Sequence, residues 1–249
     1  DDSLLWQAAY STEYPVAICG TFDSAYLSIP KEIIHTAMKE HQGYFPVAGA
    51  KSTEQAPYFV AVLNNKDKDK AIQKGCERVL KARLSDAAFY FEKDRKEPLI
   101  NRLGGLKSVI FMEKLGTLHD KTERLVSLSR YIAQKTTPSL SEKEVEQVVL
   151  FAKLSKCDLI TGVVREFPSL QGVMGRILSG MESGAAIEEH YQPRFPGDRL
   201  PESPAGQILS IADKLDTLVG CFGIGAIPTG SEDPHALRRQ GLGIVQILT

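Results

Sequence analysis

The chain has 249 residues, with 30 lysines and arginines against 31 aspartates and glutamates, 43% apolar and 24% charged. Such a composition belongs to an ordinary globular protein of one large or two modest domains, and its near-neutral balance excludes overall charge as a pointer to nucleic acid. Cys19, Cys76, Cys157 and Cys221 form no CxxC pair, against a zinc ribbon or redox motif, and no apolar run approaches the ~20 residues of a membrane span.

Residues 1 to about 63 read as mixed α/β. YPVAICGTF (14–22) is apolar, β-branched and bounded by turn formers, as a strand should be. IPKEIIHTAMKEHQ (29–42) begins with a proline and places Ile33, Ile34, Ala37 and Met38 at helical spacing. VAGAKSTEQA is a loop, consistent with a hairpin connection, and PYFVAVLN (57–64) is a second strand. From Asp67 the pattern turns helical. DKDKAIQKGCERVLKARLSDAAFYFEKD carries one amphipathic pattern, with Gly75 as an expected helix boundary. Further helices are expected at about 98–109, 115–136, 141–166, 169–178, 185–190, 204–222 and 234–248, with a capping box at Ser141 and Glu144 and an N-cap at Asp233. The expected fold class is therefore α+β, a small mixed α/β region (1–66) followed by an all-helical region (67–249). Asp1 is not a methionine and Thr249 directly follows the apolar IVQIL, so a fragment of a longer polypeptide is expected.

The chemistry-bearing residues divide into three groups. Basic side chains recur on the expected helices: Arg78, Lys81 and Arg83; Lys121 and Arg124; Lys156 and Arg165; and Arg238 and Arg239 at the start of the last helix. Arg194 adds another in the connection PRFPGDR (193–199). Arg78 and Lys81, like Lys121 and Arg124, are three apart, so each pair projects from one face and would straddle phosphates. Interleaved Glu77, Glu113, Glu123 and Glu166 leave a solvated, ion-paired face as the plainer reading. Secondly, His119, Asp158, His190 and Asp213 fall on separate helices, from which imidazole and carboxylate groups would converge on a divalent ion, although Asp158 and Asp213 as anchors of buried polar networks between helices are the plainer reading. Lastly, the glycines of GCFGIGAIPTG (220–230) fit neither GxGxxG nor a Walker sequence and read as a helix connection. His41 reads as a helix C-terminal residue, and Tyr44 and Phe45 as core aromatics rather than base-stacking ones.

Several motifs taken together carry a resemblance. LSKCDLITGVVREFPSLQGVMG (154–175), AIEEHYQPRFPGD (186–198) and IADKLDTLVGCFGIGAIPTGSEDPHALRR (211–239) resemble the β subunit of the bacterial heterotetrameric glycyl-tRNA synthetase. The likeness extends upstream through EKLGTLHDKTERL, ERVLKARLSDAAFYFEKD and MKEHQGYFPV in the same order. It implies a central β-subunit fragment, with an editing-like (B3/B4-type) α/β region and a degenerate HD-type helical domain. The family's anticodon-binding region is expected to be absent here, and SGMESGA (179–185) is shorter than the family leads one to expect.

IADK is similar to the last motif of the HD phosphohydrolase superfamily. Cys157-Asp158 replaces its His-Asp doublet, so the resemblance implies a vestigial metal site at His119, Asp158, His190 and Asp213, with no resident metal or cofactor. It also implies a cytoplasmic glycine–tRNA ligase whose chemistry, with ATP and Mg, resides in the α subunit. The present chain would then hold tRNA(Gly) through the basic residues above and partner the α subunit, with no membrane role. Two alternatives stand beside this: a metal-dependent phosphohydrolase, and a scaffold for the α subunit.

Overall fold

In the computed structural model, which describes residues 2–49, 51, 54–68, 70–136, 139–230 and 232–249, the chain is an α+β fold. Two compact units divide it, Asp1–Asp94 with Arg165–Leu170, and Arg95–Val164 with Gln171–Thr249.

The first unit is built on a three-stranded antiparallel sheet in the order β1 (Val16–Thr21), β3 (Gln55–Leu63), β2 (Phe45–Ala48). Strands β2 and β3 form a hairpin, as the loop expected between them requires, though Ala50, Ser52 and Thr53 of that loop lie outside the described residues. Opposite Phe59 in the register stands Gly20, and a Cβ there would collide with the Phe59 ring. Tyr44 stacks on Phe59 with centroids 4.7 Å apart and is buried, so it belongs to the core. Helix α1 (Asp2–Ser11) precedes the sheet; α2 (Lys31–Gln42) buries Ile33, Ile34, Ala37 and Met38, its apolar face. Gly43 closes α2 in the left-handed conformation that glycine adopts without penalty.

Helix α3 (Ala71–Asp94) runs straight through Gly75, where a boundary is expected from sequence. A glycine costs a helix about 1 kcal/mol, and the buried Leu80, Leu84, Ala87 and Phe91 outweigh that by packing the helix into the unit. Asp67 accepts from the amides of Ile72 (3.1 Å) and Gln73 (2.8 Å), satisfying the helix start. Glu77 on α3 accepts from the Thr21 amide at 3.0 Å and so ties the helix to β1. The composition changes at 66/67, but the contacts divide at 94/95, because α3 is packed with the sheet.

In the second unit a short hairpin, β4 (Ile110–Met112) and β5 (Gly116–Thr117), leads into α4 (Leu118–Lys135). There follow α5 (Glu142–Leu154), α6 (Gly162–Glu166, which crosses into the first unit), α7 (Val173–Ser179), α8 (Ala185–Glu189), α9 (Pro204–Gly223) and α10 (Leu237–Leu248). The core gathers Leu118, Leu125, Phe151, Leu154, Ile187, Leu209 and Ala212 from α4, α5, α8 and α9. The Ser141 capping box is present: the Ser141 amide donates to Glu144 at 2.7 Å and the Glu144 amide to Ser141 Oγ at 3.3 Å.

Three further sequence expectations, besides the boundary at Gly75, need correction. Residues 99–108 are 3-10 rather than α-helical. The helix expected over 141–166 breaks after Leu154 and tightens into a 3-10 turn at Cys157–Ile160, where the Leu159 and Thr161 amides bond the carbonyls of Lys156 (3.2 Å) and Asp158 (3.0 Å), and the Ser155 and Thr161 hydroxyls bond those of Ala152 (2.9 Å) and Asp158 (2.7 Å). Asp233 is not the N-cap residue of α10, which is Ala236, yet its carboxylate accepts from the Leu237 (2.7 Å) and Arg238 (3.0 Å) amides from three residues further back. Among the described residues no helix is long and apolar enough to cross a membrane.

Candidate functional site

Exposure separates the basic candidates. Arg78, Lys81, Arg165, Arg194, Arg238 and Arg239 are exposed, Arg83 and Arg124 half-buried, and Lys121 and Lys156 buried. Arg78, Lys81, Arg165 and Arg239 have no carboxylate within ion-pair distance among the described residues. Arg83 donates to Glu166 at 3.2 Å, Arg194 pairs with Asp198 at 3.3 Å, and Arg238 bonds the Thr229 carbonyl.

Lys121 and Lys156 need correction as surface groups, since both turn inward to α9. From α4, Lys121 places its Nζ 2.9 Å from Asp213 Oδ1 and 3.0 Å from Asp216 Oδ2, and donates to Thr217 Oγ1 at 2.9 Å. Arg124, one turn on, grips Asp216 through Nε (2.5 Å) and Nη2 (3.2 Å). The two are indeed on one face of the helix, but that face meets two aspartates. Lys156 Nζ lies 2.8 Å from Asp213 Oδ2 and 2.8 Å from His190 Nε2, with the Tyr191 ring centroid at 4.2 Å.

The protonation of His190 follows from its partners. Its Nδ1 faces the Ile187 carbonyl at 2.6 Å, which only accepts, so Nδ1 carries the proton. Its Nε2 faces an ammonium, which only donates, so Nε2 offers its lone pair and the imidazole is neutral. Burial, together with the Lys156 charge, holds the His190 pKa well below its ordinary value, in agreement. Burial would raise Asp213, but Lys121 and Lys156 outweigh it and keep the carboxyl well below the usual range. Burial likewise opposes the charge on Lys121, yet Asp213 and Asp216 raise it above an ordinary lysine. Lys156 moves down, because burial and the Lys121 charge outweigh its share of Asp213. The asymmetry is physical: Asp213 has two ammonium partners, whereas Lys156 has half of one carboxylate.

The four positions of the vestigial metal site are thus not a ligand set. Both Asp213 oxygens face ammonium groups, and His190 Nε2 is turned to Lys156. Asp158 is fully buried and its Oδ2 accepts from the Gly172 (2.5 Å) and Gly175 (3.1 Å) amides. Burial lifts its pKa from the ordinary 3.8 to about 6. His119 lies 4.0 Å from Glu123 on its own helix. Among the described residues no three His, Cys, Asp or Glu side chains converge as metal ligands. A divalent ion does not fit this donor set: it would have to displace a lysine that already supplies the positive charge between imidazole and carboxylate.

Lys156, Lys214, Asp216 and Tyr191 are the members of this cluster that sequence reading missed or misplaced. One signal was present: Asp213 and Asp216 are three apart on the strongly apolar α9, so two carboxylates on a buried helix face demanded cations opposite.

Comparison with known proteins adds a family. The glycyl-tRNA synthetase beta subunit family matches residues 1–249. The chain is 48% identical over 254 residues to the glycine–tRNA ligase beta subunit of Geotalea uraniireducens, 46% to that of Desulforamulus reducens and 47% to that of Moorella thermoacetica. These alignments cover 99–100% of the chain but 36% of each relative, so it spans about a third of the length of the curated relatives it matches.

Proposed function

The chain belongs to the glycyl-tRNA synthetase beta subunit family, and from that premise we propose that it is a tRNA-holding portion of a glycine–tRNA ligase. It grips tRNA(Gly) by its phosphates and leaves ATP, Mg and glycine chemistry to an α subunit. Orienting a substrate is a real contribution to rate, because a pre-placed acceptor converts an encounter into an intramolecular step.

The observation that carries the reading is the presence of exposed, unpaired cations: Arg78, Lys81 and Arg165. A cation already paired with a carboxylate offers little net attraction to a phosphate; a free one does, and releases counterions when it binds. Arg238, Arg239 and Arg194 extend the candidates in the second unit, whereas Lys121, Lys156, Arg124 and Arg83 serve the fold through their carboxylate partners.

The test is titration of tRNA(Gly) into the full-length protein at several salt concentrations, for the wild type and for Arg78→Ala/Lys81→Ala. Each lost phosphate contact is expected to flatten the slope of log K against log salt by about 0.7–0.9. An unchanged slope and affinity in Arg78→Ala/Lys81→Ala/Arg165→Ala removes the proposal.

One observation favours a second reading, a protein-binding scaffold. Leu242, Val245 and Leu248 recur every third residue on α10 and are 65%, 56% and 70% exposed. A stripe of that kind is where a protein partner such as the α subunit would dock. Val245→Glu lowering α-subunit affinity while tRNA affinity stays constant would favour it.

A further inference from the structure

We propose that the cavity beside the Lys156–Asp213 pair binds a phosphate monoester through its terminal dianion. The cavity lies wholly within the second unit, has a volume of about 570 Å³, and is lined by Lys121, Lys156, Lys214, Arg194 and Arg239 against the single carboxylate of Asp213. Small-molecule sites span roughly 300–1,000 Å³, so a mononucleotide or the end of an RNA strand fits.

Two observations point to an anionic ligand. Lys214 is 5% exposed, and its ammonium donates to the Gln192 carbonyl (2.7 Å), to Ser210 Oγ (2.7 Å) and to the His190 carbonyl (3.4 Å). All three acceptors are neutral, and among the described residues no carboxylate is in ion-pair reach of Lys214. A buried ammonium ordinarily has an anionic partner. Arg239 in the same lining is likewise without a carboxylate. These two uncompensated charges match a dianion. The second observation is Tyr191: its hydroxyl is buried and has no hydrogen-bond partner among the described residues, although its ring packs on His190 with centroids 3.8 Å apart. A buried hydroxyl is nearly always bonded, so this residue of the cavity lining carries a donor short of an acceptor.

The remaining groups choose the ligand. Ammonium, guanidinium and phenol groups are donors, and together they suit the three terminal oxygens of a monoester. A phosphodiester in mid-strand bears only one negative charge, whereas a terminal phosphate approaches two at neutral pH. A free mononucleotide and a 5′-phosphorylated RNA end share this group. The cavity shares Arg194 and Arg239 with the tRNA-holding candidates of the second unit, but not Arg78, Lys81 and Arg165, on which that reading is tested.

Isothermal titration of the full-length protein with AMP, with adenosine, and with one short RNA carrying either a 5′-phosphate or a 5′-hydroxyl tests it. The phosphorylated member of at least one pair is expected to bind about tenfold or more tighter than its partner. AMP discrimination assigns the site to the phosphate group alone, and discrimination only within the RNA pair assigns it to a strand end. Arg239→Ala and Tyr191→Phe are each expected to reduce that preference severalfold, while Tyr191→Phe, which loses no hydrogen bond, leaves the melting temperature unchanged or higher. Lys214→Met should abolish the preference, but the two milder variants decide the matter if it does not fold. Equal binding of phosphorylated and unphosphorylated ligands, or both mild variants behaving as wild type, overturns the proposal. The tRNA titration with Arg78→Ala/Lys81→Ala is unaffected by that outcome, so the two readings fail separately.

Discussion

Arg78 and Lys81 on α3, and Lys121 and Arg124 on α4, are nearly the same sequence feature: two cations three residues apart on an amphipathic helix. Their fates are opposite. Lys81 and Arg78 stay exposed and unpaired, whereas Lys121 is 3% exposed and, with Arg124, is bound to aspartates of α9. The pair spacing says only that two side chains share a face. What that face meets decides whether the charge is offered to a partner or consumed by the fold, since a lysine leaves water only where carboxylates await it.

The contrast is broken most directly by removing the shared carboxylate. Asp213→Ala leaves Lys121 and Lys156 buried with one fewer anion, and a loss of about 3–5 kcal/mol is expected in urea unfolding. Lys81→Met, the matched change on α3, should stay within about 0.5 kcal/mol. Similar losses for the two would show that α4 and α3 do not differ as described.

The buried acid of the second unit sharpens the point through pH. Asp158 titrates near 6 in the folded protein against 3.8 ordinarily, so between those values the native state holds a proton that the unfolded chain has lost. Stability from this group is therefore greatest below about pH 3.8, falls as pH rises to 6, and is constant above, a cost of about 3 kcal/mol at 1.36 kcal/mol per pKa unit. Asp158→Asn keeps an oxygen for the Gly172 and Gly175 amides and does not ionise. Relative to the wild type it should gain about 3 kcal/mol between pH 4 and 7, read from denaturant melts across that range. A flat difference would mean that Asp158 is not desolvated. Replacing Gly172, which has φ +80 and sits where a Cβ would come 2.7 Å from the Tyr191 ring, should be next in size. Gly172→Ala is expected to cost about 1–3 kcal/mol in the same melts. Smallest is the cap: Ser141→Ala should lower stability by about 1 kcal/mol, measured the same way.

Local patterns in the chain order reach far. The β-branched run at 16–21, the apolar spacing of α2, the Ser141–Glu144 box and the bounds of α8 and α9 follow from periodicity and capping, because each depends on residues within a few positions of one another. Gly75 and the 141–166 segment depart from the local pattern for the converse reason. Tertiary burial carries α3 through a glycine, and a 3-10 turn at Cys157–Ile160 follows α5 where the apolar pattern continues.

Motif order along 249 residues, backed by the family match over the same span, was enough to fix the lineage and the α+β class, since both reside in which residues occur and in what sequence. The spacing of Asp213 and Asp216 even contained a demand for buried cations. Which lysines would answer it was decided only by the approach of α4 and of the 155–158 turn to α9. Whether a charge is solvated or paired depends on distances between segments up to about ninety residues apart, and no local pattern encodes those.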